Sequence, residues 1–96
     1  MIVSFGNRET EALFHGRRGA KAQAFGPEVS KIAVRKLDML NAAESLRDLA
    51  SPPGNRLEAL TGNLRGFHGI RINDQWRIIF RWRDGFALNV AIVDYH

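Results

Sequence analysis

The chain has 96 residues, with 14 basic and 10 acidic side chains for a net charge of +4, and is 45% hydrophobic and 25% charged. That is the composition of one small folded domain, residues 1–96, with a single core and no space for a broad enclosed cofactor cavity. The absence of cysteine excludes disulfides, thiol catalysis and thiolate zinc sites; no apolar run reaches the ~20 residues of a membrane span, and Met1-Ile2-Val3-Ser4-Phe5 lacks the marks of a signal peptide, so a soluble cytoplasmic protein is expected.

Residues 2–5 read as a short strand. Residues 8–15 read as a first helix capped by Asn7. Gly16-Arg17-Arg18-Gly19 breaks it, and the basic stretch to Gly26 reads as a solvated loop. The second helix starts at Pro27, a favoured first helical residue, and Glu28 suits the positive end of its dipole. Val29, Ile32, Ala33, Leu37 and Leu40 recur at helical spacing and form one apolar stripe. Asn41 followed by Glu44 reads as a restart, with a short extra turn expected near Leu46-Arg47-Asp48-Leu49. Ser51-Pro52-Pro53-Gly54 should end all helix.

The second half is β in pattern. Residues 67–72, 75–83 and 86–94 form three runs separated by Asn73-Asp74 and Asp84-Gly85, the latter a strong two-residue hairpin signal. Residues 56–60 read as a further strand or a loop. The expected fold is α+β: β-α-α followed by an antiparallel β-meander, with the helix pair packed on one sheet face.

The kind of base is more telling than the net charge. Eleven of the fourteen basic residues are arginine, and every one after residue 50 is. The guanidinium is a rigid fork of donors that matches phosphate oxygens. Arginines interleaved with aromatics, as in Trp76-Arg77-Ile78-Ile79-Phe80-Arg81-Trp82-Arg83, suit nucleic acid. The same pattern also suits a solvated edge strand.

A two-residue turn at Asp84-Gly85 makes the hairpin a ruler. Counting outward from Arg83 opposite Phe86, Arg77 is expected opposite Ile92 and Gln75 opposite Asp94. Cross-strand partners share a sheet face. Arg77 would then share a face with Asp94, His96 and His68, and Tyr95 would lie on the Trp76 side. A bulge would break this parity. Trp76, Ile78, Phe80 and Trp82 have strand period and read as core.

No paired-ligand spacing joins His15, His68 and His96, and there is neither a glycine-rich phosphate loop nor a Gly-x-Ser-x-Gly elbow. Neither a metal nor a cofactor is expected. One metal-free reaction fits the inventory, in which RNA is cut by attack of its own 2′-hydroxyl on the adjacent phosphate. Glu58, Tyr95 and His96 can move protons, and Arg56, Arg65 and Arg77 can supply positive charge.

Four segments together carry a family resemblance: the opening Met-Ile-x-Ser-Phe, Ser51-Pro52-Pro53-Gly54-Asn55-Arg56-Leu57-Glu58, Asn73-Asp74-Gln75-Trp76-Arg77, and the closing Val93-Asp94-Tyr95-His96. In this order they resemble the HigB-type toxins (the plasmid maintenance system killer group) of the RelE/ParE superfamily, close to the GraT branch. The resemblance implies a RelE/ParE-like fold and a toxin that enters the ribosomal A site and cuts mRNA during translation. It further implies a HigA-like antitoxin with a helix-turn-helix domain as partner. By this likeness Arg77 is a phosphate and transition-state ligand. Asp94, Tyr95 and His96 match the C-terminal catalytic triplet, and Gln75 sits where some members place Asn near the codon. Two positions depart from the best-known subgroup: Glu58 stands where it has an active-site His, and Thr61 where it has Lys. The base is then Glu58 or His96, with charge supplied by Arg56 or Arg65. The fold alone is shared with ParE-like DNA gyrase inhibitors that cut nothing, and a nucleic-acid-binding subunit that regulates its own operon is a further alternative.

Overall fold

In the computed structural model, which describes residues 1–16 and 24–95, two helices lie on one face of a four-stranded antiparallel sheet. Helix α1 (Arg8–Phe14) starts where the sequence places it. The Asn7 side chain accepts a hydrogen bond from the Thr10 amide at 2.9 Å, satisfying a donor that the first turn would otherwise leave unpaired. Helix α2 (Pro27–Ala42) also begins as expected, on Pro27. Ala33, Leu37 and Leu40 of its stripe are fully buried, with Val29 and Ile32 at the margin. Of the basic stretch between the helices, Arg17, Arg18 and Lys21 lie outside the described residues.

The turn after α2 is a short 3-10 helix, Leu46–Ala50. Its start is Ser45 rather than Asn41. Asp48 accepts from the Glu44 and Ser45 amides at 2.9 and 3.1 Å, closing a capping box. Asn41 instead accepts from the Ile2 amide. The Ser-Pro-Pro-Gly stretch does not end all helical structure, because Pro53–Asn55 forms another 3-10 turn. Asn55 is fully buried there and donates to the Leu49 carbonyl at 3.2 Å. No helix among the described residues is long and apolar enough to cross a membrane.

The strands are β1 (Glu58–Ala59), β2 (His68–Arg71), β3 (Trp76–Arg83) and β4 (Phe86–Asp94), side by side in that order. Asp84 and Gly85 have φ of +51° and +85°, the left-handed pair that a type I′ hairpin turn requires. The helix-facing core holds Ile70, Ile78, Phe80, Val90 and Ile92, with Trp76 and Trp82 against it. On the opposite, open face, Leu60, Ile79 and Ala91 form a second apolar cluster, covered by Leu64, Phe67, Val93 and Tyr95.

The hairpin departs from the counted register. Arg83 pairs with Phe86 and Arg81 with Leu88, but Ile79 pairs with Ala91 and Arg77 with Val93. Two residues of β4, Asn89 and Val90, thus oppose Phe80. Asn89 has φ of +54°, a left-handed conformation that asparagine tolerates better than most residues. This bulge moves the end of β4 by one residue. Arg77 therefore shares its face with Val93 and Tyr95, while Asp94 pairs with Trp76 on the helix side. His68 pairs with Phe80, stacks on its ring and faces the helices as well. The expected grouping of Arg77 with Asp94 and His68 is corrected by that one inserted residue in β4 and by the Arg71–Arg77 pairing of β2 with β3.

Residues 2–5 make two isolated parallel bridges to β4, Ile2 with Ala87 and Phe5 with Val90, rather than a strand. Met1 and Ser4 carbonyls accept from the Ala87 and Val90 amides. At the bulge the Asn89 amide turns to the Ser4 hydroxyl, which interrupts the ladder. Further along the same edge the Ile92 amide donates to the buried Thr10 hydroxyl at 2.9 Å, tying α1 to β4.

Thr10→Val keeps the shape and removes that acceptor. It should lower unfolding free energy by about 1–3 kcal/mol, the cost of a buried amide left unpaired, read by urea melts at fixed m-value. Asp48 has its pKa lowered by the Glu44 and Ser45 amides. Its contribution to stability is complete above its ordinary value of 3.8 and is lost as pH falls through the lower folded value. Asp48→Asn should accordingly flatten the acid limb of a pH–stability curve in that interval.

Candidate functional site

The alternation of β3 places Arg77, Ile79, Arg81 and Arg83 on the open face. The β2–β3 register sets Arg71 directly opposite Arg77. Two like charges in cross-strand register repel, and each guanidinium has its own carboxylate. Arg71 pairs with the exposed Asp74 in the β2–β3 turn. Arg77 pairs with Glu58, Nη1 to Oε1 at 3.2 Å.

Glu58 reaches Arg77 because β1 pairs with β2, Glu58 opposite Gly69, which in turn opposes Ile79. The two partners differ in exposure: the Arg77 side chain is 18% exposed and that of Glu58 48%. Nη1 of Arg77 is buried and makes no hydrogen bond of acceptable geometry, so the contact with Glu58 is one of charge rather than of a directed bond. A buried guanidinium donor without an acceptor is uncommon in folded proteins.

Tyr95 completes the cluster. The Arg77 guanidinium carbon lies 5.1 Å from the centre of its ring, within range of a cation–π contact. Two bonds hold the end of the chain in that position. The Tyr95 amide donates to the Gln75 carbonyl at 2.8 Å, and the Gln75 side-chain amide donates to Asp94 at 3.0 Å. Gln75 is itself fixed by its own amide donating to Asn73 at 2.9 Å. Behind β2, on the helix side, the Lys36 ammonium donates to the Arg71 carbonyl. Its pKa is lowered by burial first, then by Arg35 and Arg71.

Of the residues singled out from the sequence, Glu58, Arg77 and Tyr95 come together on the open face. Gln75 and Asp94 meet each other at the start of β3, with Asp94 on the opposite side of the sheet from Arg77. Arg56, in the left-handed conformation at φ +46°, and Arg65, after the 3-10 turn Gly62–Leu64, are exposed and join none of the ion pairs among the described residues. His96 lies outside the described residues. Arg71 and Arg81, both on the face of Arg77, were not among the expected site residues, although Arg81 belongs to the arginine–aromatic run that suits nucleic acid. For Arg81 the signal was present in the shared parity of residues 77, 81 and 83.

Residues 9–96 match the model of a family described as RelE-like toxin of type II toxin–antitoxin system HigB. Over 58 residues, 60% of this chain, the sequence is 58% identical to Toxin HigB-1 of Vibrio cholerae. Over 62 residues it is 40% identical to an uncharacterized protein of Haemophilus influenzae. The matched segment spans 61% of the length of each of these relatives. Among solved structures, the fold is similar to the YoeB–YefM complex of Staphylococcus aureus, with a TM-score of 0.61 at 17% identity over 100% of this chain and 98% of that one. It is also similar to YafQ from E. coli, solved as a point mutant, with a TM-score of 0.62 at 15% identity over 98% of this chain and 91% of that one.

Removing Glu58 would leave Arg77 charged, mostly buried and with no paired carboxylate among the described residues. Glu58→Ala should destabilise the fold by about 1–2 kcal/mol, between the values of exposed and buried pairs. In an Arg77→Met background the same change should cost much less. A double-mutant cycle by urea melts gives the coupling, and additivity would show that the pair contributes nothing.

Proposed function

The chain belongs to the HigB-like family of RelE-like toxins, and from that membership we propose that it is an endoribonuclease that cuts mRNA on the ribosome and so inhibits translation. The observation that carries the proposal is the cluster of Glu58, Arg77 and Tyr95 on the open face. It offers a carboxylate, a guanidinium and a phenol within one small area, the inventory that metal-free phosphodiester cleavage uses.

In this proposal the 2′-hydroxyl of one nucleotide gives its proton to Glu58. The 2′-oxygen forms a bond to the adjacent phosphorus, and the bond from phosphorus to the 5′-oxygen breaks. Tyr95 or His96 supplies the proton that the leaving 5′-oxygen takes up. Arg77 meets the non-bridging oxygens, whose charge grows toward the transition state. Arg77 Nη1 makes no directed hydrogen bond, so an oxygen that displaces the Glu58 carboxylate from it would gain a donor. Gln75 and Asp94 act at one remove by holding Tyr95 over Arg77. Arg56 and Arg65, both exposed, would add positive potential for the RNA backbone. A positioned substrate is needed for in-line geometry, which favours mRNA held in the ribosomal A site over free RNA. The partner that restrains such a toxin would be a HigA-like helix-turn-helix antitoxin. A gyrase inhibitor of the ParE kind finds no support in the family match or in the geometry.

Arg77→Ala should lower single-turnover cleavage on programmed ribosomes by about 10²–10³-fold, the range for loss of one charge-stabilising donor. Ribosome pelleting should change far less, because the loss falls on the transition state. Arg77→Lys should rescue in part, keeping charge and losing the fork. A binding defect as large as the rate defect would make Arg77 a docking residue. Inhibition of gyrase supercoiling by wild-type protein, with no new mRNA ends after a pulse of expression, would overturn the nuclease reading.

A further inference from the structure

Arg81 is the strand neighbour of Arg77 on the open face, four residues and about 13 Å along β3. It is exposed, and no carboxylate pairs with it among the described residues. Its guanidinium carbon lies 4.5 Å from the centre of the Phe67 ring. Phe67 is half-buried and seated on Leu60, Ile79 and Ala91, so the ring is a fixed platform. Gly66 precedes it with φ of +94°, and a Cβ there would stand 2.9 Å from Arg81 Nη1. A side chain at residue 66 would thus press on the guanidinium, and the left-handed backbone favours glycine in any case. Arg81 sits over an aromatic ring and makes no side-chain hydrogen bond or ion pair among the described residues.

The face as a whole is strongly of one sign. Its strand positions carry Arg71, Arg77, Arg81 and Arg83, against Glu58 and the turn residue Asp74 that pairs with Arg71. Between Arg77 and Arg81 the floor is apolar, formed by Ile79, Ala91 and Val93. Spaced guanidinium forks over an apolar and aromatic floor match the alternation of phosphates and bases in a single strand. We propose that Arg81, seated on Phe67, forms a subsite that binds the phosphate of a nucleotide about two steps along the strand from the one held at Arg77, so that the open face is a track for single-stranded RNA. This rests on the nuclease reading for the scissile position, but the binding it asserts can be measured without cleavage.

The probe is a short 2′-O-methyl oligoribonucleotide, which cannot be cut by 2′-hydroxyl attack, titrated into the full chain over a range of salt. Arg81→Ala should weaken binding about tenfold, as for loss of one charged hydrogen-bonding group. It should also reduce the slope of log affinity against log salt by about 0.7, one phosphate contact on a single strand. Arg81→Lys should restore the slope and only part of the affinity. Phe67→Leu should weaken binding with the slope unchanged, because the ring that seats the guanidinium is lost while its charge is kept. On programmed ribosomes Arg81→Ala should raise the concentration for half-maximal cleavage and lower the saturating rate far less than Arg77→Ala does. Circular dichroism reports folding, and if either the alanine or the leucine variant unfolds, Arg81→Lys carries the test through its affinity. No measurable wild-type binding at low salt, or affinity and slope unchanged in the Arg81 variants, overturns the subsite. So does a loss confined to antitoxin binding, which would make the face a protein interface. Oligonucleotide binding that responds as expected, in a protein that cuts no mRNA, leaves the subsite standing and removes the nuclease reading instead.

Discussion

The extra residue at Asn89 decides what the open face contains. Without the bulge, the alternation of β4 would send Tyr95 to the helix side and bring Asp94 beside Arg77. With it, a phenol ring lies under the guanidinium, and the carboxylate of Asp94 is turned away to meet Gln75. The left-handed backbone at Asn89 does not stand alone, because its amide is taken up by Ser4. The segment before α1 thus holds the bulge from outside the sheet, and the bulge sets the facing of the last strand residues. Bulges that re-aim a side chain next to a site are a recurring device in antiparallel sheets.

The charge on that face is supported by the apolar layer beneath it. Leu60, Ile79 and Ala91 exclude water from the near side of Arg77, so its field is less screened than that of the exposed Arg81 or Arg83. A partly buried guanidinium needs a counter-charge, and among the described residues Glu58 is the one paired with it. An incoming phosphate would enter the same charge balance.

The helices were legible because their signals are local. Asn7, Pro27 and the spacing of Ala33, Leu37 and Leu40 each act within a turn or two. The β3–β4 hairpin was legible for the same reason, since Asp84-Gly85 alone dictates the turn. The bulge was not. Leu88, Val90, Ala91, Ile92 and Val93 are apolar on both sides of Asn89, so neither alternation nor composition marks where the count slips. An error of one residue there reversed the faces of Asp94 and Tyr95. Residues 2–5 have the composition of a strand yet make only isolated bridges, because their bonds are parallel contacts of long range, broken at Ser4. The chemistry-bearing residues themselves were readable as types, but their grouping waited on the register.

Met1 to Gly6 also determines how the sheet can meet other molecules. The outer amides of β4 at Ala87, Asn89, Val90 and Ile92 are all spent on this segment and on Thr10. A strand from another chain would have to displace them before it could pair. At the far side of the sheet β1 offers only Glu58–Ala59, too short a ladder to hold a guest and carrying a charge besides. Extension of the sheet by added strands is thereby discouraged at both edges. A visitor must read side chains on the open face rather than backbone at its rim, which lets an apolar, arginine-rich surface exist without inviting the chain to polymerise through its own sheet.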